Sequence, residues 1–405
     1  MTVDVAIIGG GPAGVTAAQE LRRQGVRDVM LLEREAYLGG ATRHCAHSPF
    51  GMREFGRVLF GADYGRRLES EVARAGIDLR YGQSVTQISP EGSLNIANAD
   101  GLYQITARRI LLATGARELP RAARMLPGDR PIGVITTGTL QSMIAFQHRL
   151  PFRRPLIIGS ELVTLSALLT CRTHGIHPVA VVEPLAQSLT NAPLSWFPRL
   201  MGVPFHTGVE ILDIIGQGRV EVVRIRHNGH EKLIDCDGVL LTGRFTPEAS
   251  LLQMSGYTLN QATGGAQVDQ TGRLQDPHIF AAGNLLRPIE TGGWAYREGR
   301  MIARAIAQDL THDATETALI QISHDAPIRY VVPNLLRQTP NRQAGLQDFQ
   351  LRVSRPVTGE IALHIDGRAV FRLRNHWRPE KRILLPIPTA ALTATAIHFA
   401  FTEHP

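Results

Sequence analysis

Near its start the chain reads "VDVAIIGGGPAGVTAAQELRRQGVRDVMLLERE", in which a mostly apolar run at residues 3–8, interrupted at Asp4, meets a glycine cluster and then apolar positions at Ala17, Ala18 and Leu21. A short apolar run ended by glycine reads as a strand buried on both faces, and the spacing that follows reads as the inner face of a helix. A second apolar run at residues 29–32 closes on Glu33, so strand, helix and strand are predicted in that order. The pattern then returns. Shifted by 150 residues, "AIIGGGPAGVTAAQELRRQGVRDVMLLE" lies without a gap over "LIIGSELVTLSALLTCRTHGIHPVAVVE", placing Gly9 over Gly159, Gly25 over Gly175 and Glu33 over Glu183. Two copies of one unit are predicted.

Further apolar runs bring strands to Thr-Gly turns in "RRILLATGARELP" and "DGVLLTGRFTPEA", one after each unit. Another strand ends at Gly283-Asn284 and leads, through a loop, to a helix starting near Trp294. From Pro327 the pattern changes to alternation in "FQLRVSRP", "GEIALHIDGRAVFRLRN" and "KRILLPIP", with Asp366-Gly367 as a hairpin turn between two runs. A small antiparallel β domain is predicted there.

Composition narrows the classes. At 405 residues, 43% apolar, with 39 Gly and 24 Pro, the chain suits two or three globular domains rich in tight turns. No apolar run approaches the ~18–20 residues of a membrane span. The N-terminus enters a strand with no basic leader, so a cytoplasmic location is expected. Cys45, Cys171 and Cys236 are too scattered for a disulfide framework or a metal site, and no C-x-x-C occurs. The net charge of +7 is dispersed arginine, which reads as solvated surface; no nucleic-acid partner is expected. From Pro327 eleven Lys/Arg face five Asp/Glu, which fits equally a solvated basic surface and a docking module for a partner.

The first glycine cluster carries chemistry. Gly9 makes the tight turn, Gly11 lets backbone approach a pyrophosphate, and Gly14 lets helix and strand pack closely, with Pro12 and Ala13 opening the helix. Free N–H groups and the helix dipole would hold the anion there, and Glu33 would accept ribose hydroxyls. In the second copy Glu161 replaces the middle glycine and Thr164 the last. A carboxylate ~5 Å from a phosphate, at an effective dielectric of ~20, costs on the order of 3 kcal/mol, about a hundredfold in affinity. Thr164 is expected to crowd the helix against the strand, and Glu183 to repel a 2′-phosphate. NAD(P)H is therefore disfavoured in the second copy.

With Gly9/Gly11/Gly14 and Glu33, the Ala113-Thr114-Gly115 turn and the Ala281-Ala282-Gly283-Asn284 strand end in this order, the chain resembles the pyridine nucleotide-disulfide oxidoreductase superfamily. The resemblance implies an α/β fold of two nested Rossmann-like domains, with three-layer ββα/βαβ architecture, plus the C-terminal β domain. It places an FAD domain at residues 1–120 and 251–312, a nested NAD(P)-like domain at 121–250, and the β domain at 326–405. FAD contacts are implied for Gly9, Gly11, Pro12, Ala13, Gly14, Glu33, Gly40, Thr114, Gly115, Gly283, Asn284, Gly293 and Trp294. Asn284 stands where the family usually has Asp.

Residues 39–68 resemble flavin subunits paired with glycerol-3-phosphate-dehydrogenase-like or amino-acid-oxidase-like partners, such as those of opine oxidase. This implies a dehydrogenase partner and a small substrate, a polyol phosphate or an amine or amino acid. In disulfide reductases of the family the neighbourhood of Cys45 carries paired redox cysteines, and here one remains. Cys45 reads either as an activated thiolate or as packing beside the flavin, and His44 and His47 as proton carriers or anion ligands. The alternative functions are a stand-alone NAD(P)H-dependent flavin reductase and a non-catalytic nucleotide-binding subunit.

Overall fold

Apolar residues at 3–8 and 29–32 form neighbouring parallel strands, Thr2–Ile8 and Val29–Leu32, because the helix between them, Pro12–Arg23, returns the chain across one face of the sheet. Ala17, Ala18 and Leu21 are its wholly buried face. The computed structural model describes residues 1–288, 290–311, 317–339 and 344–404, so the domain end expected at residue 312 lies outside them.

Seven strands make the first sheet, in the order Asp78–Arg80, Val29–Leu32, Thr2–Ile8, Gly101–Leu112, Ser93–Asn98 and Ser84–Ile88, with Ile279–Ala281 also paired to Gly101–Leu112. The 12-residue strand Gly101–Leu112 joins two regimes. Its first half runs antiparallel to Ser93–Asn98, and its second half is parallel to Thr2–Ile8 and Ile279–Ala281. The final helix, Gly292–Thr311, packs on Pro12–Arg23, where Arg304 pairs with the buried Glu20 at 2.7 Å.

The second sheet is wholly parallel, in the order Phe205–Thr207, Ala180–Glu183, Pro155–Ile158, Gly238–Leu241 and Val134–Thr136. A three-stranded antiparallel meander, Glu210–Ile215, Val222–His227 and His230–Asp235, packs beside it. Two short antiparallel strands, Ala116–Glu118 and Phe245–Pro247, carry the chain out of the first sheet's neighbourhood and back, side by side. The mixed α/β layers match the fold expected from the two repeated units.

The C-terminal unit packs a five-stranded sheet on a three-stranded one around Phe349, Leu351, Ile361 and Phe399. Asp366 and Gly367 turn the Val357–Ile365 hairpin with φ of 46° and 78°, as the Asp-Gly signal predicts. One pairing departs from the antiparallel expectation: Leu319–His324 runs parallel to Ile397–Glu403. That strand also precedes residue 326, because its buried Ile320 and Ile322 belong to the C-terminal core.

Candidate functional site

The two glycine turns share a backbone and differ in what fills them. Gly9 N donates to Leu32 O and Gly159 N to Val182 O, both at 2.9 Å, so the repeat extends to individual hydrogen bonds. In the first turn the Cβ direction of Gly11 meets nothing within 4 Å, leaving room above the first free N–H groups of the helix. Gly9 holds φ of 108°, and a Cβ on Gly14 would lie 1.9 Å from Gly9 O. Helix and strand therefore approach closely at Gly14, and glycine alone permits it.

Glycines from distant segments converge on this turn. Gly40 faces the Gly11 Cα, Gly283 faces the Ala13 Cβ, and Gly292 lies near Pro12 and Thr42. Gly299, which sequence reasoning missed, would drive a Cβ to 2.1 Å from Ala13 O. Its spacing of two helical turns from Gly292 was the available signal. Thr42, also missed, is buried and donates its hydroxyl to Gly39 O at 2.7 Å. An open Gly11 over a helix N-terminus, framed by closely packed glycines, fits a dinucleotide pyrophosphate.

Glu33 is buried and accepts from Gly10 N at 2.7 Å and from Glu35 N at 2.9 Å, so it braces the turn as well as ending the strand. Burial raises its pKa, opposed by these N–H groups. Five of the implied contact residues have neighbours within the chain. Thr114 donates its hydroxyl to Glu248 O at 2.7 Å, and Gly115 O accepts from Glu248 N, tying the turn to the returning strand. Asn284 closes its own loop, accepting from Glu290 N at 2.8 Å and donating to Glu290 O at 3.1 Å. Gly293 faces the Glu54 carboxylate, and Trp294 is stacked by arginines.

Residues 40–47 pack against the helix Thr137–Gln147. Cys45 Sγ lies 3.3 Å from Ala41 O and 3.7 Å from Gln141 Oε1. Burial, with the Glu118 carboxylate adding to it, pushes the thiol up to about 12. Of the two readings of Cys45, this environment favours packing over an activated thiolate. Alkylation of Cys45 by iodoacetamide in the folded protein is predicted to be on the order of a thousandfold slower than that of a free cysteine. Mass-spectrometric labelling kinetics check this. Burial also drives His44 down to about 4 and lowers His47, so both imidazoles are neutral near pH 7. His44 lies edge-on to Phe146 with centroids 6.4 Å apart, and His47 tilts against Phe50 at 5.2 Å.

In the second turn Ser160 donates to Glu183 at 2.6 Å, reproducing the Gly10–Glu33 brace through a side chain. The Glu161 side chain folds inward over Gly243 and Gly159: a Cβ on Gly243 would meet its carboxyl carbon at 2.1 Å. Arg124 donates to Thr242 O and Gly243 O at 2.8 and 2.7 Å, fixing the turn that Glu161 covers. Thr164 does not crowd the strand as expected. Its hydroxyl donates to Gly159 O at 3.1 Å and lies 2.9 Å from Thr242 Oγ1, converting a steric conflict into hydrogen bonds.

Burial pushes Glu161 up to about 7, with Glu183 and Glu380 adding to the rise and Arg124 opposing it. Between its ordinary 4.5 and about 7 the folded chain keeps a proton that the unfolded chain has lost. Stability from this group is therefore greatest below the ordinary value and falls as pH rises, by roughly 3 kcal/mol in all. Urea unfolding near pH 5 and near pH 8 is predicted to show that loss, and Glu161→Gln to remove it.

Residues 3–307 match the model of the pyridine nucleotide-disulphide oxidoreductase family. The chain belongs to that family. Among relatives, the benzene 1,2-dioxygenase system ferredoxin–NAD(+) reductase subunit of Pseudomonas putida is 27% identical over 329 residues, covering 76% of this chain and 75% of that protein. An opine oxidase subunit of Rhizobium meliloti (strain 1021) is 27% identical over 343 residues, covering 78% and 73%. The crystal structure of T. acidophilum thioredoxin reductase superposes with a TM-score of 0.62 at 22% identity, over 77% of this chain and 99% of that one. The protein is an FAD-dependent oxidoreductase of the pyridine nucleotide-disulphide family, and its C-terminal β unit lies beyond the family match. Among the described residues no helix is long and apolar enough to cross a membrane.

Proposed function

We propose that this oxidoreductase is the flavin subunit of a multi-component system, exchanging electrons with a dehydrogenase partner that acts on a polyol phosphate or an amine or amino acid. The observation that carries the reading is the contrast between the turns: Gly11 opens onto free space, and Glu161, at the equivalent position, covers Gly243 and Gly159. The first turn offers a pyrophosphate its N–H groups. The second offers a buried side chain that must first be displaced. NAD(P)H is accordingly a poor ligand, and the electrons come from a partner. The Rhizobium meliloti opine oxidase subunit, by its name one component of a larger enzyme, supports the same organisation. The reading places the protein in the cytoplasm.

FAD bound in the first cradle would supply two-electron transfer chemistry. The chain's own part is to seat the pyrophosphate over residues 11–14 and to brace that turn through Glu33. His44, His47 and Cys45, neutral beside this cradle, line the segment that joins it to the second sheet.

A second reading, an NADH-dependent reductase, is favoured by one observation: with a pKa of about 7, Glu161 loses its charge in mild acid, so its barrier is steric more than electrostatic. The NAD(+)-linked name of the Pseudomonas putida relative points the same way. Anaerobic mixing of the FAD-loaded chain with NADH separates the two. Slow, non-saturating flavin bleaching supports the subunit reading, and fast saturable bleaching supports the reductase.

A further inference from the structure

Trp294 stands in the first turn of the final helix, and three arginines from three parts of the chain stack on its indole. The guanidinium carbons of Arg53, Arg297 and Arg382 lie 5.1, 5.3 and 3.5 Å from the ring centroid. Arg382 comes from the C-terminal unit and pairs with Glu290 at 3.1 Å. Arg53 reaches a hydroxyl, Thr291 Oγ1, at 3.3 Å. Among the described residues, neither Arg53 nor Arg297 has a carboxylate within ion-pair distance. Glu54, the acid next to Arg53, turns instead onto Gly293 and accepts the Tyr64 hydroxyl at 2.8 Å.

Three positive charges gathered on one ring sit within roughly a Debye length, about 10 Å at 0.1 M salt, and repel one another. Stacking on the indole offsets part of that repulsion and orders the guanidinium planes, leaving for a ligand the N–H edges that do not bond Thr291 or Glu290. Such edges bind carboxylate and phosphate oxygens in bidentate fashion. Gly292, two residues before Trp294, borders Pro12 in the dinucleotide cradle, so the cluster lies beside the cofactor site.

We propose that Arg53, Arg297 and Arg382, ordered by Trp294, form a binding site for the oxyanion of a small organic ligand, a carboxylate or a phosphate monoester, next to the flavin. The site depends on where the cofactor sits and not on which protein supplies the electrons. It selects anionic ligands over neutral ones. It also gives the C-terminal unit a share in ligand recognition through Arg382.

The FAD-loaded full chain is titrated calorimetrically with inorganic phosphate, with glycerol phosphate and with succinate, at ionic strength held constant by chloride. One saturable site is expected for at least one probe, weakened about tenfold in Arg53→Gln and in Arg297→Gln. Arg66→Gln, on the helix Gly61–Ala75, keeps the wild-type affinity. Retained flavin absorbance in each variant shows that the fold and the cradle are intact. Preference for the phosphates assigns a phosphate-ester ligand, and preference for succinate a carboxylate. Absence of saturable binding by every probe, or wild-type affinity in both Arg53→Gln and Arg297→Gln, overturns the site. Binding of poly-glutamate without any small anion overturns it too, in favour of a protein-docking patch.

Discussion

Gly14→Ala yields a folded protein that purifies without flavin. The added methyl would lie 1.9 Å from Gly9 O, so the helix Pro12–Arg23 must move away from the strand Thr2–Ile8. Overpacking of this kind costs about 1–3 kcal/mol in stability. The second copy shows how such a chain survives: Thr164 occupies the equivalent position by hydrogen-bonding Gly159 O, and its sheet remains parallel and buried. The displaced helix, however, no longer presents its first N–H groups to a pyrophosphate. FAD affinity is expected to fall at least about a hundredfold, roughly 3 kcal/mol. Flavin absorbance per mole of protein measures the loss, and circular dichroism tests whether the fold remains. Alanine at position 14 with full flavin occupancy would show that close approach there is dispensable.

The second large effect is expected in the buried ion network after Gly283. Glu298, 2% exposed, accepts from both terminal nitrogens of Arg287 at 3.1 and 3.0 Å and from Gly283 N at 3.1 Å. Glu290 continues the network, pairing with Arg352 and Arg382 of the C-terminal unit at 3.1 Å each. Glu298→Ala leaves the Arg287 charge, whose side chain is 1% exposed, with the longer 3.9 Å pair to Glu290, and frees the Gly283 N–H beside the cradle. Breaking one partner of a buried pair costs about 3–5 kcal/mol. Urea unfolding of the variant should show that loss, with Glu298→Gln intermediate because its amide oxygen still accepts one bond. A variant as stable as wild type would mean that Arg287 finds another partner or water.

The extent to which this architecture was legible in the sequence follows from the range of each signal. Both strand–helix–strand units declared themselves through local periodicity, and an ungapped repeat keeps corresponding residues equivalent in space. Hence Gly159 N and Gly9 N make the same bond. The Asp366-Gly367 turn was legible because positive φ at two successive residues has few sequence solutions. Side-chain direction was not: Glu161 was placed in the right turn, and nothing local shows that it folds back over Gly243. The choice between the two readings of Cys45 was not legible, because Glu118 and Gln141 approach it from far along the chain and burial outweighs the neighbouring imidazoles. The parallel pairing of Leu319–His324 with Ile397–Glu403 joins segments with no shared sequence pattern. Nor does any local pattern announce that Arg382 reaches Trp294.

The central claim is that Glu161 closes the second turn to a dinucleotide. NADH affinity of the wild-type chain and of Glu161→Gly, measured side by side by calorimetry near pH 8, tests it most directly. The account predicts weak or undetectable binding in the wild type and a gain of about a hundredfold in the variant, as the space over Gly243 opens. Tight NADH binding by the wild type, unchanged or weakened in Glu161→Gly, would contradict it.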